Sequence, residues 1–187
     1  MDDARDPQDE PRVRRHKGGF RWDAVEVLRY KDEGSAPFRD VTRQVLFEGA
    51  LAATRDRHDR NVIVGALARV RDPALRDRML ALTLDPRLDG GEAYFLMIDA
   101  LEDEANRAAA FDFLRVHFDA LVAKLPPDSA ARLATPLGEL CSPDARATFV
   151  AFYRDRAPRY LGGAKRYAQA LESIDLCIAA TSAAASR

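Results

Sequence analysis

FDFLRVHFDALVAKLP, from Phe111 to Pro126, is the stretch of sequence that decides the fold. Its apolar residues alternate between spacings of three and four: Phe111, Leu114, Phe118, Leu121 and Leu125. That spacing places all of them on one face of an α-helix, as a stripe that other elements must cover. Pro126 then stops the helix. The stretch therefore predicts a long amphipathic helix inside a helical domain.

Helix signals continue on both sides of this stretch. Asp72-Pro73 has the residue types of an N-cap and first turn, and Asp85-Pro86 ends the helix that follows. Gly90-Gly91 is predicted to turn the chain, and Glu102, Asp103 and Glu104 to open a helix.

Downstream, Pro126-Pro127-Asp128 is expected to cap a helix through Leu133, Leu137 and Leu140. Ser142-Pro143-Asp144 starts another helix, and a last one follows Gly162-Gly163. Six or seven helices with such short connections must pack as antiparallel neighbours.

We therefore expect an all-α domain over residues 48–182, built as a HEAT-like stack of antiparallel helix pairs. No strict repeat is visible, so a compact irregular bundle stays open as an alternative. Residues 1–19 are polar and predicted to form a disordered tail, and residues 183–187 a second tail. Residues 20–47 are strand-prone, with two short strands joined by a turn, and two strands cannot form a stable sheet alone.

Composition limits the class of protein. Of 187 residues 47% are apolar and 32% charged, and the formal net charge is -1, so no overall field favours nucleic acid or an anionic membrane. No secretory signal or membrane-spanning stretch is visible, which predicts a soluble, cytoplasmic protein. In that compartment Cys141 and Cys177 are expected to be reduced, largely buried thiols.

No catalytic, cofactor-binding or metal-binding residue is predicted. A catalytic zinc site needs three protein ligands and an open position, whereas His16, His58 and His117 lie in unrelated segments. The glycine pairs lack phosphate-loop spacing, and no serine sits in a nucleophile elbow. We expect the chain by itself not to be an enzyme.

One basic cluster interleaves with aromatic residues near the C-terminal end. Its members are Arg154, Arg156, Arg159, Lys165 and Arg166, with Tyr153, Tyr160 and Tyr167. Such a pattern fits a nucleic-acid backbone or a peptide carboxylate. Because Asp155 interrupts the run and the net charge is close to zero, solvated helix ends are the expected role, without nucleic-acid binding.

Four segments resemble, in order and spacing, the C-terminal helical domain of zinc aminopeptidases of the aminopeptidase N, puromycin-sensitive and endoplasmic-reticulum types. They are ALARVRDPALRDRMLALTLDPRL at Ala66 to Leu88, FDFLRVHFDALVAKLP at Phe111 to Pro126, ELCSPDARATFVAFYRDRA at Glu139 to Ala157, and LGGAKRYAQALESIDLC at Leu161 to Cys177. The resemblance covers about residues 61–180. It implies a curved helical stack that closes over a catalytic domain and encloses a substrate chamber. The family's HExxH helix, distant zinc-binding glutamate and GxMEN segment have no counterpart here.

FRWDAVEVLRYKDEGSAPFRDVTRQVLF, from Phe20 to Phe47, resembles the leading segment of a small cupin-domain family. The metal-binding cupin signature and the barrel strands that would carry it are absent. Together the two resemblances imply a chain that joins the front of one family to the back of another, as a rearranged or truncated reading frame would.

Two functions follow as hypotheses. The chain is an accessory domain that shapes peptide access beside an aminopeptidase catalytic domain, or it is a free-standing helical scaffold that binds proteins. A truncated stack leaves an apolar end, so self-association through that end is also expected. No cofactor is expected in either case.

Overall fold

The computed structural model describes residues 15–16, 19–20, 49, 51–52 and 54–185. Two-residue strands, β1 (Arg15–His16) and β2 (Gly19–Phe20), pair in antiparallel fashion. Seven α-helices follow in the described chain: α1 Arg57–Leu67, α2 Pro73–Leu82, α3 Gly90–Glu102, α4 Arg107–Lys124, α5 Ser129–Arg132, α6 Pro143–Tyr153 and α7 Gly163–Ala185. Two 3-10 turns, Pro136–Glu139 and Ala157–Arg159, flank α6. The body of the protein is all-α, as predicted.

The predicted N-terminal tail and strand-prone lead-in lie mostly outside the described residues, which include β1 and β2 at residues 15–16 and 19–20. Of the second predicted tail, residues 183–185 belong to α7, and residues 186–187 lie outside the described residues. Among the helices that the structure describes, none combines the length and the apolar character needed to cross a bilayer.

Helix starts follow the capping chemistry of the sequence. The Asp72 carboxylate accepts a hydrogen bond from the backbone N–H of Leu75 at 3.0 Å, and the Ser142 hydroxyl accepts one from Ala145 at 3.2 Å. In both helices a proline occupies the first turn, where it removes no helical hydrogen bond. The two predicted starts are confirmed.

The prediction that Gly90-Gly91 turns the chain is wrong, because both residues begin α3. Asp89 and Glu92 form a capping box around them, in which each side chain accepts the other's backbone N–H at 2.8–2.9 Å. Gly90 also starts the helix against the end of α4, where a Cβ would overlap the carbonyl oxygen of Lys124. Glycine at this position serves close packing of the helix start.

The acidic run at residues 102–104 closes α3 instead of opening a helix. Asp103 is the C-cap residue, and its carboxylate accepts the backbone N–H groups of Ala105 and Asn106 at 3.1 and 3.2 Å. Aspartate competes for nearby backbone donors in this way and so favours helix ends over interiors.

A single helix through Leu133, Leu137 and Leu140 was expected, and the structure divides it. This segment contains the four-residue α5 and the 3-10 turn at Pro136–Glu139, because Pro136 has no N–H to donate within a helix. Gly138 lets this turn touch α7 directly, since a Cβ there would lie 3.1 Å from that of Ser173. The leucines still pack inward, Leu140 partly.

The apolar stripe of α4 is the centre of the core, with every predicted position buried. Aromatic rings of α6 cover it: Phe118 meets Phe152 edge to face at 5.3 Å, and Phe111 meets Phe152 at 5.9 Å. Phe149 is fully buried beside them. Burial raises the pKa of Tyr153, whose hydroxyl has no hydrogen-bond partner within the described structure. Ring packing therefore dominates the contact between α4 and α6.

Polar residues at the two ends of α4 complete the C-terminal ends of earlier helices. Asn106 is 1% exposed, and its side-chain amide donates to the carbonyls of Ala68 and Val70 at 2.9 and 3.0 Å. These carbonyls lie just beyond the end of α1, where helical partners run out. Asn106 therefore ties the end of α1 to the start of α4.

Arg107 and Lys124 likewise donate hydrogen bonds at the C-terminal ends of α3 and α2. Arg107 donates to the Leu101 and Glu102 carbonyls at the end of α3, both at 2.9 Å, and pairs with the Glu139 carboxylate. The Lys124 ammonium donates to carbonyls that follow α2, at 2.9 and 2.6 Å. Three helix ends thus depend on α4.

Helices α1 and α3 lie side by side and run in the same direction. Arg60 of α1 pairs with Glu92 at the start of α3, and Gly65 lies against Asp99 further along both helices. Arg60 lowers the pKa of Glu92 and also donates to the carbonyls of Leu51 and Thr54. Stacked helix pairs require parallel neighbours such as α1 and α3. HEAT-like stacking of the whole domain stays a prediction.

The two cysteines form a disulfide, which corrects the expectation of reduced thiols. Cys141 lies in the short connection between the 3-10 turn at Pro136–Glu139 and α6, and Cys177 faces it from α7 with the Cα atoms 5.2 Å apart. The partners are separated by 36 residues, so their proximity depends on how α7 folds back over the domain. Cysteine count and spacing gave no sign of this packing.

Candidate binding groove on helices α4 and α6

A metal centre does not assemble in the described part of the chain. His58 lies at the start of α1 and His117 lies on α4, with its ring 4.4 Å from that of Phe113. Across residues 54–185 no three histidine, cysteine, aspartate or glutamate side chains are grouped so that they would hold a metal ion.

An open groove with a volume of about 540 Å³ lies between α4 and α6 in the described chain. Its lining comprises Arg115, Ala147, Thr148, Ala151, Phe152 and Arg156. The lining therefore consists of small side chains, one aromatic ring and two guanidinium groups. The groove therefore combines apolar surface with fixed positive charge.

Both arginines are held over aromatic rings of the core. The Arg156 guanidinium carbon lies 4.4 Å from the centre of the Phe152 ring, and one of its N–H groups donates to the Phe152 carbonyl at 2.9 Å. Arg115 lies 5.6 Å from the Phe111 ring and donates to the Asp112 carboxylate at 2.6 Å. Cation–π contacts of this kind fix the direction in which a guanidinium points.

The two charges differ in how far they are neutralised. Arg115 has an acidic partner in Asp112, whereas Arg156 pairs with no carboxylate in the described chain. Arg156 therefore presents a positive charge with N–H donors left over, beside apolar surface. An anionic group in the groove would find at Arg156 a guanidinium that no carboxylate of the described chain neutralises.

The basic cluster seen in the sequence separates into different places. Arg154 and Arg156 follow α6, Arg159 donates to a backbone carbonyl, and Lys165 and Arg166 belong to α7. The three tyrosines turn toward the core: Tyr153 is buried, while Tyr160 and Tyr167 are half-buried against Phe118 and Phe149. The rings are therefore not an exposed stacking platform beside the cations.

Arg115 and Phe152 were not recognised as site residues in the sequence. Arg115 follows Phe111 by four residues, which places it one turn along the same helix, and Phe152 belongs to the predicted apolar face of α6. Phe152 lies beside Arg156 because it precedes it by four residues, whereas only the packing of α6 across α4 brings Arg115 there. The sequence shows only the position of each residue within its own helix, whereas the groove forms when the two helices pack together.

The helical body matches a known family. A family model described as the ERAP1-like C-terminal domain matches residues 39–176. Among curated proteins, 1-methylthio-D-xylulose 5-phosphate methylsulfurylase of Rhodospirillum rubrum is 54% identical over 44 residues, which are 24% of this chain and 28% of that protein. The chain spans less than a third of this relative's length, so the match carries no activity over.

Proposed function

The chain belongs to the family of ERAP1-like C-terminal domains, and from that premise we propose that it is a non-catalytic domain that shapes peptide access beside an aminopeptidase catalytic domain. The observation that carries the proposal is the groove between α4 and α6, which holds an unpaired guanidinium against apolar surface. These 187 residues contain no HExxH run, so the catalytic zinc would lie in a domain outside them.

The chemistry of the groove suits a passing peptide. A peptide offers backbone carbonyls, carboxylates and apolar side chains, and the groove offers guanidinium donors together with an aromatic ring and small side chains. The groove is open to solvent, where an ion pair contributes only about 0–1 kcal/mol. Contacts of that strength favour guiding a substrate over retaining it.

The test is reconstitution with a catalytic partner. An HExxH-bearing aminopeptidase from the source genome would be produced without its own terminal helical domain, and hydrolysis of a single aminoacyl reporter and of longer peptides would be measured with and without this chain. We expect the chain to change peptide hydrolysis relative to the reporter. Arg156→Ala should reduce that change, and Arg132→Ala, on α5 away from the groove, should leave it intact.

Two results would refute the proposal. One is an unchanged ratio of peptide to reporter hydrolysis with a partner that demonstrably binds the chain. The other is an equal loss in both arginine variants. The chain alone should release no amino acid from the reporter, and chelator-sensitive turnover by the purified chain would overturn the non-catalytic assignment.

A free-standing scaffold that binds other proteins is the second candidate, and exposed apolar side chains favour it. Val62 on α1 is 42% exposed and Phe95 on the neighbouring α3 is 51% exposed. The same side chains would mediate self-association if they mark the open end of a stack. A concentration-dependent change in sedimentation that Phe95→Ser abolishes supports this candidate, and a strictly monomeric chain counts against it.

A further inference from the structure

The disulfide sits where the last helix leaves the body of the protein. Cys141 is exposed and directly precedes the N-cap of α6, and Cys177 is half-buried on α7. On α7, Ala170 and Ile174 are buried, and residues 179–184 are all exposed. The bond therefore joins the domain to the last part of α7 that touches it.

Several noncovalent contacts of that part of α7 are exposed or lie within the helix itself. After Ile174, Asp175 forms an ion pair with Arg146 of α6, and both side chains are largely exposed, at 48% and 40%. Ile178 packs only partly against the core. Thr181 donates to the Cys177 carbonyl within α7 itself, which adds no link to the body. Exposed ion pairs contribute little, so the covalent bond is the strongest of these links.

We propose that the Cys141–Cys177 disulfide is a redox-controlled clip that fixes or releases the C-terminal turns of α7. A thiolate of a dithiol reductant attacks the exposed sulfur of Cys141, the S–S bond breaks, and Cys177 leaves as a thiolate that takes a proton from water. The second thiol of the reductant loses its proton and displaces Cys141, which leaves as a thiolate and takes up a proton, and the reductant becomes a disulfide. Two electrons pass to the protein, and oxidation reverses the process.

The buried half of α7 confines the effect to its end. Gly163 begins the helix against the Ala157 carbonyl, and Gly138 touches α7 near Ser173. These contacts, with Ile174, do not involve the disulfide. Reduction should therefore loosen residues 175–185 and leave the start of α7 in place.

Amide hydrogen exchange on the full chain tests the clip. Protein purified without reductant should contain no free thiol when alkylated under denaturing conditions. Treatment with dithiothreitol should speed exchange in residues 176–185 by about tenfold or more, with residues 163–172 unchanged, and re-oxidation should restore the slow exchange. The double variant Cys141→Ser/Cys177→Ser should match the reduced protein and no longer respond to dithiothreitol.

Arg146→Gln is the matched control, because it removes the neighbouring ion pair and leaves the disulfide. Its effect on exchange should be smaller than that of reduction. Two free thiols in the protein as purified would overturn the proposal, as would unchanged exchange after verified reduction. Faster exchange throughout the domain would also overturn it, because the bond would then support the whole fold and not act on one end.

Discussion

Asn106→Ala should be among the most damaging single changes to a polar residue. The side-chain amide of Asn106 is buried and donates to two carbonyls beyond the end of α1, at 2.9 and 3.0 Å. Each hydrogen bond contributes about 1 kcal/mol, and carbonyls left buried without a partner cost further. The expected loss is about 3 kcal/mol in the free energy of unfolding, or about 6–12 °C in Tm for a chain of this size.

Urea unfolding followed by far-ultraviolet circular dichroism measures this loss. Asn61→Ala is the matched control, since Asn61 is exposed on α1, and it should change stability by less than about 0.5 kcal/mol. Asn106→Asp keeps the shape but replaces the donor with an acceptor facing two carbonyls, so it should cost at least as much as alanine. Equal stabilities for Asn106→Ala and Asn61→Ala would refute the capping role assigned to this amide.

Three further changes test the core, the helix starts and the charges. Phe149→Ala should lower the free energy of unfolding by about 3–5 kcal/mol in urea. Phe95→Ala, at an exposed position, should lower it by less than about 1 kcal/mol. Gly163→Ala should destabilise, because its Cβ overlaps a backbone carbonyl, while Gly65→Ala within α1 should be neutral or stabilising; the reverse order would contradict the packing. Hydrogen bonds from Arg87 lower the pKa of Asp85 from 3.8 to about 2, so their stabilisation is present above pH 4 and disappears as the pH falls toward 2. Unfolding at pH 5 and 2.5 should show a smaller pH dependence for Asp85→Asn, and identical pH profiles would exclude the effect.

Predictions from the sequence succeeded where the signal is local and repeated. The α4 stripe needed only its spacing, and all five positions from Phe111 to Leu125 are buried. The helix starts at Asp72 and Ser142 were predicted from a capping side chain and the proline that directly follows it. In both cases the residues that determine the structure lie within a few turns of each other.

The features that the sequence predicted wrongly or did not predict share a different cause. Gly90 begins a helix because it meets the end of α4, and Cys141 is oxidised because α7 brings Cys177 to it. The groove depends likewise on α6 crossing α4 at Arg115. Each of these contacts joins residues about 30 or more positions apart, and a single sequence contains no signal of that separation.

Because three helix ends depend on α4, the nascent chain cannot complete its earlier helices until α4 has been synthesised. Asn106, Arg107 and Lys124 complete helices that leave the ribosome earlier, and the longest of these links spans 41 residues. While residues 106–124 are still inside the exit tunnel, α1, α2 and α3 hold open carbonyl ends and apolar faces. The nascent chain therefore reaches its first self-sufficient unit only after α4 emerges, and a pause in translation before that point would lengthen its exposure to chaperones and proteases.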